Sequence, residues 1–310
     1  MRDPPDAIAP QLRGEVRRWP GPDGAPLNYR YWDAARPGDA AVYLHGIAGH
    51  SLWFSAAASR LAESGITVYG PDRRGSGLNV GLGAGHVPHH NAVLRDIRHF
   101  VELARGEHPG RKVFLIAGCW GAKAGVVFAA REPQLIDGLA LVAPALSVRV
   151  KLPLKDLVGV LFSLLTGPRR RFAIPLEPHH YTENPRFRAF VAADPQRLRA
   201  ATARFYLETA RLDRLAAAAA RSIGRPVLLL AGGRDAIVDL EGTRAWFESL
   251  ASTDKIMKVY PDFAHILEFE EQWEAYLADL LAWLRARGSP IDGVAASAAA
   301  GAPDEGGRCA

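Results

Sequence analysis

Cysteine is scarce in this chain: 310 residues hold two, Cys119 in an apolar stretch and Cys309 in a tail of Gly, Ala and Ser. That excludes a disulfide framework and makes a reducing, cytoplasmic setting the expectation. No run approaches the roughly 18 apolar residues that read as a membrane span. Residues 1–10 carry acids and prolines where a secretion signal would carry an apolar core, so no signal peptide is expected. Charge of one sign is also in short supply, with 38 Lys+Arg against 33 Asp+Glu, a net of +5. There is no zinc-finger, RNA-recognition or P-loop pattern, so neither nucleic acid nor a metal or other cofactor is expected. The small basic excess leaves room for an anionic substrate or weak contact with a membrane surface. No internal repeat occurs. What remains is an ordinary globular composition, 48% hydrophobic and 23% charged. Its length suits one α/β domain with an insertion.

The most informative stretch begins at Val113. Val113-Phe114-Leu115-Ile116-Ala117 is an unbroken apolar run, the pattern of a strand buried on both faces. Residues 124–131 read as a helix that starts almost at once, and small residues at 117, 118, 121 and 122 make room for a very sharp turn. A strained strand-to-helix turn of this kind is a nucleophile elbow, usually written G-x-S-x-G. Here it aligns as Ala117-Gly118-Cys119-Trp120-Gly121, with alanine for the first glycine and cysteine for the serine. Starting the pattern at Gly118 would put Trp120 at the nucleophile position, where it offers no chemistry. Cys119 is therefore the candidate nucleophile. Taken alone, the pentapeptide fits a small buried apolar cysteine equally well. The decision rests on whether an acid and a base follow.

Around this stretch, strands are predicted at 15–19, 27–33, 40–44, 66–69, 139–143, 227–230 and 256–260. Helices are predicted at 52–63, 89–105, 240–250 and 268–287, the last with Phe269, Trp273, Tyr276, Leu280 and Leu284 on one face. Alternation of strand and helix implies a mostly parallel sheet with helices on both faces. The rhythm breaks after Pro144. Residues 147–200 show no clean strand, but an apolar helical patch at 154–165, the triplet Arg169-Arg170-Arg171 and scattered prolines; a second helical stretch covers 196–220. An insertion over the carboxyl end of a sheet is the place for a cap, and the apolar patch is expected to select the acyl part of a substrate. The expected organisation is a disordered segment at 1–14, core at 15–146, helical cap at 147–200, core at 201–287 and a disordered tail at 288–310.

Two later loops complete the chemistry. Asp235 stands just past the strand at 227–230, and His265 just past the one at 256–260. Nucleophile, acid and base thus follow the chain order of the α/β-hydrolase triad. With five motifs in hand, the chain resembles the α/β-hydrolase superfamily over residues 25–287, most closely its monoacylglycerol lipase and lysophospholipase branch. The motifs are His45-Gly46 after a strand, Pro71-Asp72-x-Arg74-Gly75-x-Gly77, the elbow, Gly232-x-x-Asp235-x-Ile237-Val238, and Ala264-His265 followed by Glu268. The cysteine departs from that branch; an elbow reading Cys-Trp-Gly-Ala-Lys is similar to dienelactone hydrolases, and polyhydroxyalkanoate synthases also use cysteine there.

The resemblance implies an eight-stranded α/β-hydrolase fold with an inserted cap, and a Cys119–His265–Asp235 triad. The Trp120 and Ile47 backbone N–H groups would form the oxyanion hole. His45 is expected to shape its loop rather than carry protons. Asp72, Arg74 and Gly75 are expected to fix loop geometry, the arginine triplet to be a solvated face, and Asp239 to fit a helix cap. Lys123 is expected to be solvated or ion-paired. The implied activity is acyl hydrolysis of a small-molecule ester, lactone or thioester with an apolar acyl group, through an acyl-cysteine. Two alternatives stay open: an acyltransferase or cyclase, in which an amine or alcohol intercepts the acyl-cysteine, and a non-catalytic homologue that keeps the pocket as a receptor. Oligomeric state is not readable.

Overall fold

The structure is a computed structural model that describes residues 10–36 and 38–289. Cys309 and nearly all of the expected tail lie outside the described residues. Residues 10–14, expected to be disordered, include a 3-10 turn at Pro10–Leu12. The main chain here is held because the Leu12 and Arg13 carbonyls accept from Trp32 Nε1 (2.8 Å) and Arg30 Nη1 (3.0 Å).

In chain order the strands are β1 (Glu15–Pro20), β2 (Pro26–Trp32), β3 (Asp39–Leu44), β4 (Ile66–Pro71), β5 (Val113–Gly118), β6 (Gly138–Val142), β7 (Arg171–Ala173), β8 (Ala200–Thr202), β9 (Val227–Gly232) and β10 (Lys255–Tyr260). The helices are α1 (Ser55–Glu63), α2 (His90–Glu107), α3 (Cys119–Arg131), α4 (Leu154–Thr166), α5 (Pro178–Tyr181), α6 (Pro185–Ala193), α7 (Ala203–Ala219), α8 (Leu240–Glu248) and α9 (Glu274–Arg287). Eight strands form one sheet in the order β1-β2-β4-β3-β5-β6-β9-β10. β1/β2 and β2/β4 are antiparallel and every other pair is parallel. This is the α/β-hydrolase fold. None of the described helices is long and apolar enough to cross a membrane.

Side-chain alternation decides which face each residue serves. On β5, Val113, Leu115 and Ala117 pack with α2, α3 and α8, while Phe114 and Ile116 pack with α1 and α9. A strand covered by helices on both faces must be apolar throughout, which is why β5 is an unbroken run. β10 lies at the sheet edge and alternates half-buried with exposed residues, as its sequence does. Strand order reverses between β3 and β5, which pair directly, Leu44 opposite Ala117. Loops leaving their carboxyl ends diverge there and open a crevice, the usual place for an α/β site.

The insertion departs from its sequence reading in three ways. It contains a two-stranded antiparallel ribbon, β7 with β8, too short for any periodicity to reveal. The predicted 196–220 helix starts only at Ala203, where the Thr202 hydroxyl caps it by accepting from Phe205 N–H at 3.1 Å. Finally, the apolar stripe of α4 faces outward. Leu154, Leu157, Val158, Leu161, Phe162 and Leu165 recur at helical spacing, yet they are exposed by between 43% and 90%. Val160 and Ser163 turn inward, Val160 against Phe172 and Ala203, with Leu164 partly buried beside them. The patch therefore does not line the interior of the cap. The cap is tied to the core by a buried His50–Asp194 pair (2.9 Å), by Trp53 Nε1 donating to the same carboxylate (2.7 Å), and by Leu198 N–H on the Ala48 carbonyl (2.9 Å).

The closing helix is also broken. A 3-10 turn at Leu267–Phe269 precedes α9. Phe269 joins the cap, stacked 4.3 Å from Phe187, while Tyr276, Leu280 and Leu284 pack under the sheet.

Candidate active site

Cys119 is the first residue of α3 and follows β5 without a connecting loop. Its φ is +47°, a left-handed conformation that costs a non-glycine residue about 1–3 kcal/mol and persists only where packing enforces it. Packing does so here. A Cβ on Gly46 would stand 3.0 Å from Cys119 Cβ, and one on Gly121 would stand 2.7 Å from the His45 carbonyl oxygen. Glycine at both positions lets α3 and the loop after β3 close on the cysteine from two sides.

Asp235 lies past β9, and its two oxygens are used differently. Oδ1 accepts the N–H groups of Ile237 (2.7 Å) and Val238 (2.8 Å), which leaves Oδ2 for His265 Nδ1 at 2.7 Å. Both residues are buried. With Nδ1–H committed to the carboxylate, Nε2 is the atom left to serve Cys119, and it has no other protein partner. The coupling between His265 and the Cys119 thiol is chiefly electrostatic. Burial by itself would push His265 down, but Asp235 and the Cys119 thiolate override it and lift the imidazole to about 10. Burial likewise opposes the thiolate. The His265 imidazolium and the backbone N–H groups of Ile47 and Trp120 outweigh it, and the thiol is held below its ordinary value. Thus His265, Ile47 and Trp120, all read from the sequence, converge on the Cys119 sulfur, and Asp235 acts on it through His265.

The neighbouring motif residues are structural. His45 donates from Nδ1 to the Gly46 carbonyl (2.8 Å) and accepts the Arg73 N–H at Nε2 (2.9 Å). Burial and the Arg73 charge push its pKa down to about 3, so it is neutral and carries no proton to the reaction. Asp72 accepts from Ser51 N–H (2.6 Å) and Leu78 N–H (2.7 Å); Arg74 bridges Asp96 and Asp23; Gly75 has a φ of +74°. Lys123 is buried and ion-paired with Asp213 of α7. Asp239 caps α8 through Gly242 N–H at 3.2 Å. Arg169, Arg170 and Arg171 are exposed.

Two further groups line the site, and the sequence assigns neither a role there. Tyr181 closes the site from the cap, its ring centroid 6.3 Å from that of His265. Glu268 is buried, accepts from Ala57 N–H (2.9 Å) at the start of α1 and from the Tyr276 hydroxyl (3.2 Å), and is pushed up to about 8 by burial. Both line a cavity of about 60 Å³ shared with Cys119 and His265. It is small beside the roughly 300–1,000 Å³ of a ligand pocket, so the site is closed down around Cys119 and His265. Glu268 closes the fifth motif, yet nothing in the local sequence says that its carboxylate is buried against α1. Tyr181 depends on a cap whose path is not readable. Among the described residues, one group could hold a metal: His89, His90 and Glu208. Glu208 is already engaged by Arg204 (3.1 Å) and Arg211 (2.8 Å), two cations that oppose a metal ion there.

Known proteins share this architecture. Monoacylglycerol lipase of Mycolicibacterium smegmatis is 28% identical over 276 residues, covering 85% of this chain and 94% of that protein. Human monoglyceride lipase is 25% identical over 280 residues, covering 86% and 88%. Among solved structures, a soluble variant of Saccharomyces cerevisiae monoglyceride lipase in complex with a substrate analog superposes with a TM-score of 0.82 at 19% identity. That match covers 93% of this chain and 100% of the other, and at this identity it speaks for the fold. The profile of one hydrolase family matches residues 35–272, well over half the chain. By that match, the chain belongs to the serine aminopeptidase, S33, family of α/β-hydrolase enzymes.

Proposed function

We propose that this chain hydrolyses carboxylic esters of the monoacylglycerol type through a covalent acyl-cysteine. The observation that carries the reading is the convergence on Cys119 Sγ of an imidazolium held by a buried carboxylate and of two backbone N–H donors. The thiolate attacks the ester carbonyl carbon, forming a C–S bond and a tetrahedral oxyanion that the Ile47 and Trp120 N–H groups receive. The C–O bond to the alcohol then breaks, and the departing alkoxide takes the proton from His265 Nε2. Water attacks the resulting thioester while Nε2, now neutral, accepts its proton. Collapse of the second oxyanion breaks the C–S bond and releases the acid, leaving the thiolate beside a protonated His265.

The outward stripe of α4 supports a lipid source for the acyl group. Six exposed apolar side chains on one helix are flanked by exposed Lys151, Lys155, Arg169, Arg170 and Arg171. An apolar face rimmed by cations fits an anionic lipid surface. The test is turnover of monoacylglycerol in anionic vesicles beside turnover of a short water-soluble ester. The Leu161→Asp/Phe162→Asp variant is expected to lose about tenfold or more on the vesicle substrate and little on the soluble one. Equal losses on both would make α4 a folding element. Cleavage of the soluble ester with no monoacylglycerol turned over by the unmodified enzyme would refute the substrate class. Adding an amine acceptor to the same assay separates hydrolysis from acyl transfer: amide in place of free acid would overturn the hydrolase reading.

A further inference from the structure

We propose that Arg73 is the residue that positions both oxyanion donors, acting as one clamp on Ile47 and Trp120. This rests on the reading of Cys119 as nucleophile. Arg73 occupies the variable position of the Pro71-Asp72-x-Arg74 motif, where the sequence gives it no role. Its Nη1 donates to the Gly46 carbonyl (3.3 Å) and its Nη2 to the Ile47 carbonyl (3.0 Å). The Gly46 carbonyl belongs to the same peptide as the Ile47 N–H. The described chain has no cis peptide bonds, and in a trans peptide these two groups point in opposite directions. Pulling the oxygen toward Arg73 and His45 therefore drives the Ile47 N–H the other way, toward the Cys119 sulfur that it stabilises.

The residue that carries the other donor packs its ring against the same side chain. The Arg73 guanidinium carbon lies 4.5 Å from the Trp120 ring centroid, and the indole is stacked against Phe205 on α7, centroids 5.3 Å apart. Trp120 Nε1 also donates to the Thr209 hydroxyl at 3.0 Å. Arg73 forms no ion pair among the described residues, so its fork is directed at main-chain carbonyls and an aromatic face rather than at a carboxylate. A planar guanidinium can hold two carbonyls and a ring at once, which a lysine ammonium cannot. Burial pushes Arg73 down to about 10, partly offset by Asp72 and the Cys119 thiolate, so it stays cationic at neutral pH.

The test compares Arg73→Met and Arg73→Lys with the unmodified enzyme on a soluble ester. Three readouts accompany kcat and KM. These are inhibition by an alkyl trifluoromethyl ketone, whose adduct with a thiolate carries an oxyanion; iodoacetamide alkylation of Cys119 at alkaline pH, which forms none; and the thermal midpoint. Arg73→Met is expected to lower kcat by about 10- to 100-fold, below the cost of losing a donor outright, and to weaken the ketone by the same factor. KM and alkylation should stay within about twofold, because neither depends on a developing oxyanion. Arg73→Lys should regain only part of the loss. Unchanged kcat and ketone affinity would overturn the proposal. So would full rescue by lysine, or alkylation and thermal midpoint falling in parallel with kcat, the mark of a packing residue. If unmodified enzyme keeps its turnover after Cys119 is alkylated, the failure lies in the nucleophile assignment and not in Arg73.

Discussion

Replacing Cys119 by alanine is expected to lower kcat on every ester by about 100,000-fold or more, as removing the nucleophile of a triad does elsewhere. What survives should be the rate that the oxyanion donors alone can support. The more telling variant is Cys119→Ser, which restores the usual residue of the elbow. A serine hydroxyl cannot pre-form an ion pair with His265; it must lose its proton during attack. Its oxygen also sits in an elbow where Gly46 and Gly121 allow close approach around a sulfur. Cys119→Ser should therefore lose most of its activity on monoacylglycerol while keeping more of it on an activated aryl ester, whose leaving group demands less. The check is the ratio of kcat/KM on the two substrates for each enzyme. A serine variant equal to the unmodified enzyme on both would make the cysteine incidental.

Asp235→Asn is expected to cost about 10,000-fold in kcat, and the geometry says how. The asparagine oxygen can still accept from the Ile237 and Val238 N–H groups, so the loop keeps its shape. The amide nitrogen then faces His265 Nδ1, and donor meets donor. Relief comes from the other tautomer, with Nδ1 accepting and the proton on Nε2, where a neutral imidazole cannot take one from the nucleophile or from water. The pH profile should change with it. Activity requires the thiolate and the imidazolium together, so it is lost at high pH as His265 gives up its proton. In the unmodified enzyme, where Asp235 and the Cys119 thiolate raise the imidazole to about 10, that limb is expected well above neutrality. Without Asp235, burial opposes the charged imidazole with only the thiolate to offset it, and the limb moves toward neutrality. Profiles of kcat/KM between about pH 5 and 11 measure the displacement. An alkaline limb that stays in place would show that Asp235 does not hold His265 protonated.

The parts legible in the sequence are those governed by local rules. β3, β4, β5, β6 and β9 are apolar because both faces are covered, and an unbroken apolar run such as 113–117, ending at small residues, suits a strand at the centre of a sheet. The order of Cys119, Asp235 and His265 fixes which loops meet once the sheet forms. What stayed hidden depends on long-range contacts. A stripe at i, i+3, i+4 and i+7 on α4 states that one face is apolar, but not whether protein covers it. Phe269 fits the periodicity of α9, yet Glu268 beside it is engaged with Ala57 at the start of α1, and the helix begins only after the turn. Arg73 stands one residue from a recognisable motif position, and only the folded loop brings its fork onto the Gly46 and Ile47 carbonyls.

The central claim is that the acyl group is carried on one sulfur atom. It is tested most directly by the intact mass of enzyme quenched in acid within its first turnovers on a slowly hydrolysed ester, followed by peptide mapping. The account predicts a mass increase equal to the acyl group minus one hydrogen, located on the peptide containing Cys119 and discharged by hydroxylamine. The adduct should be absent in Cys119→Ala and should accumulate in Asp235→Asn if deacylation is the slower step. An adduct on any other residue, or steady turnover in Cys119→Ala, would contradict it.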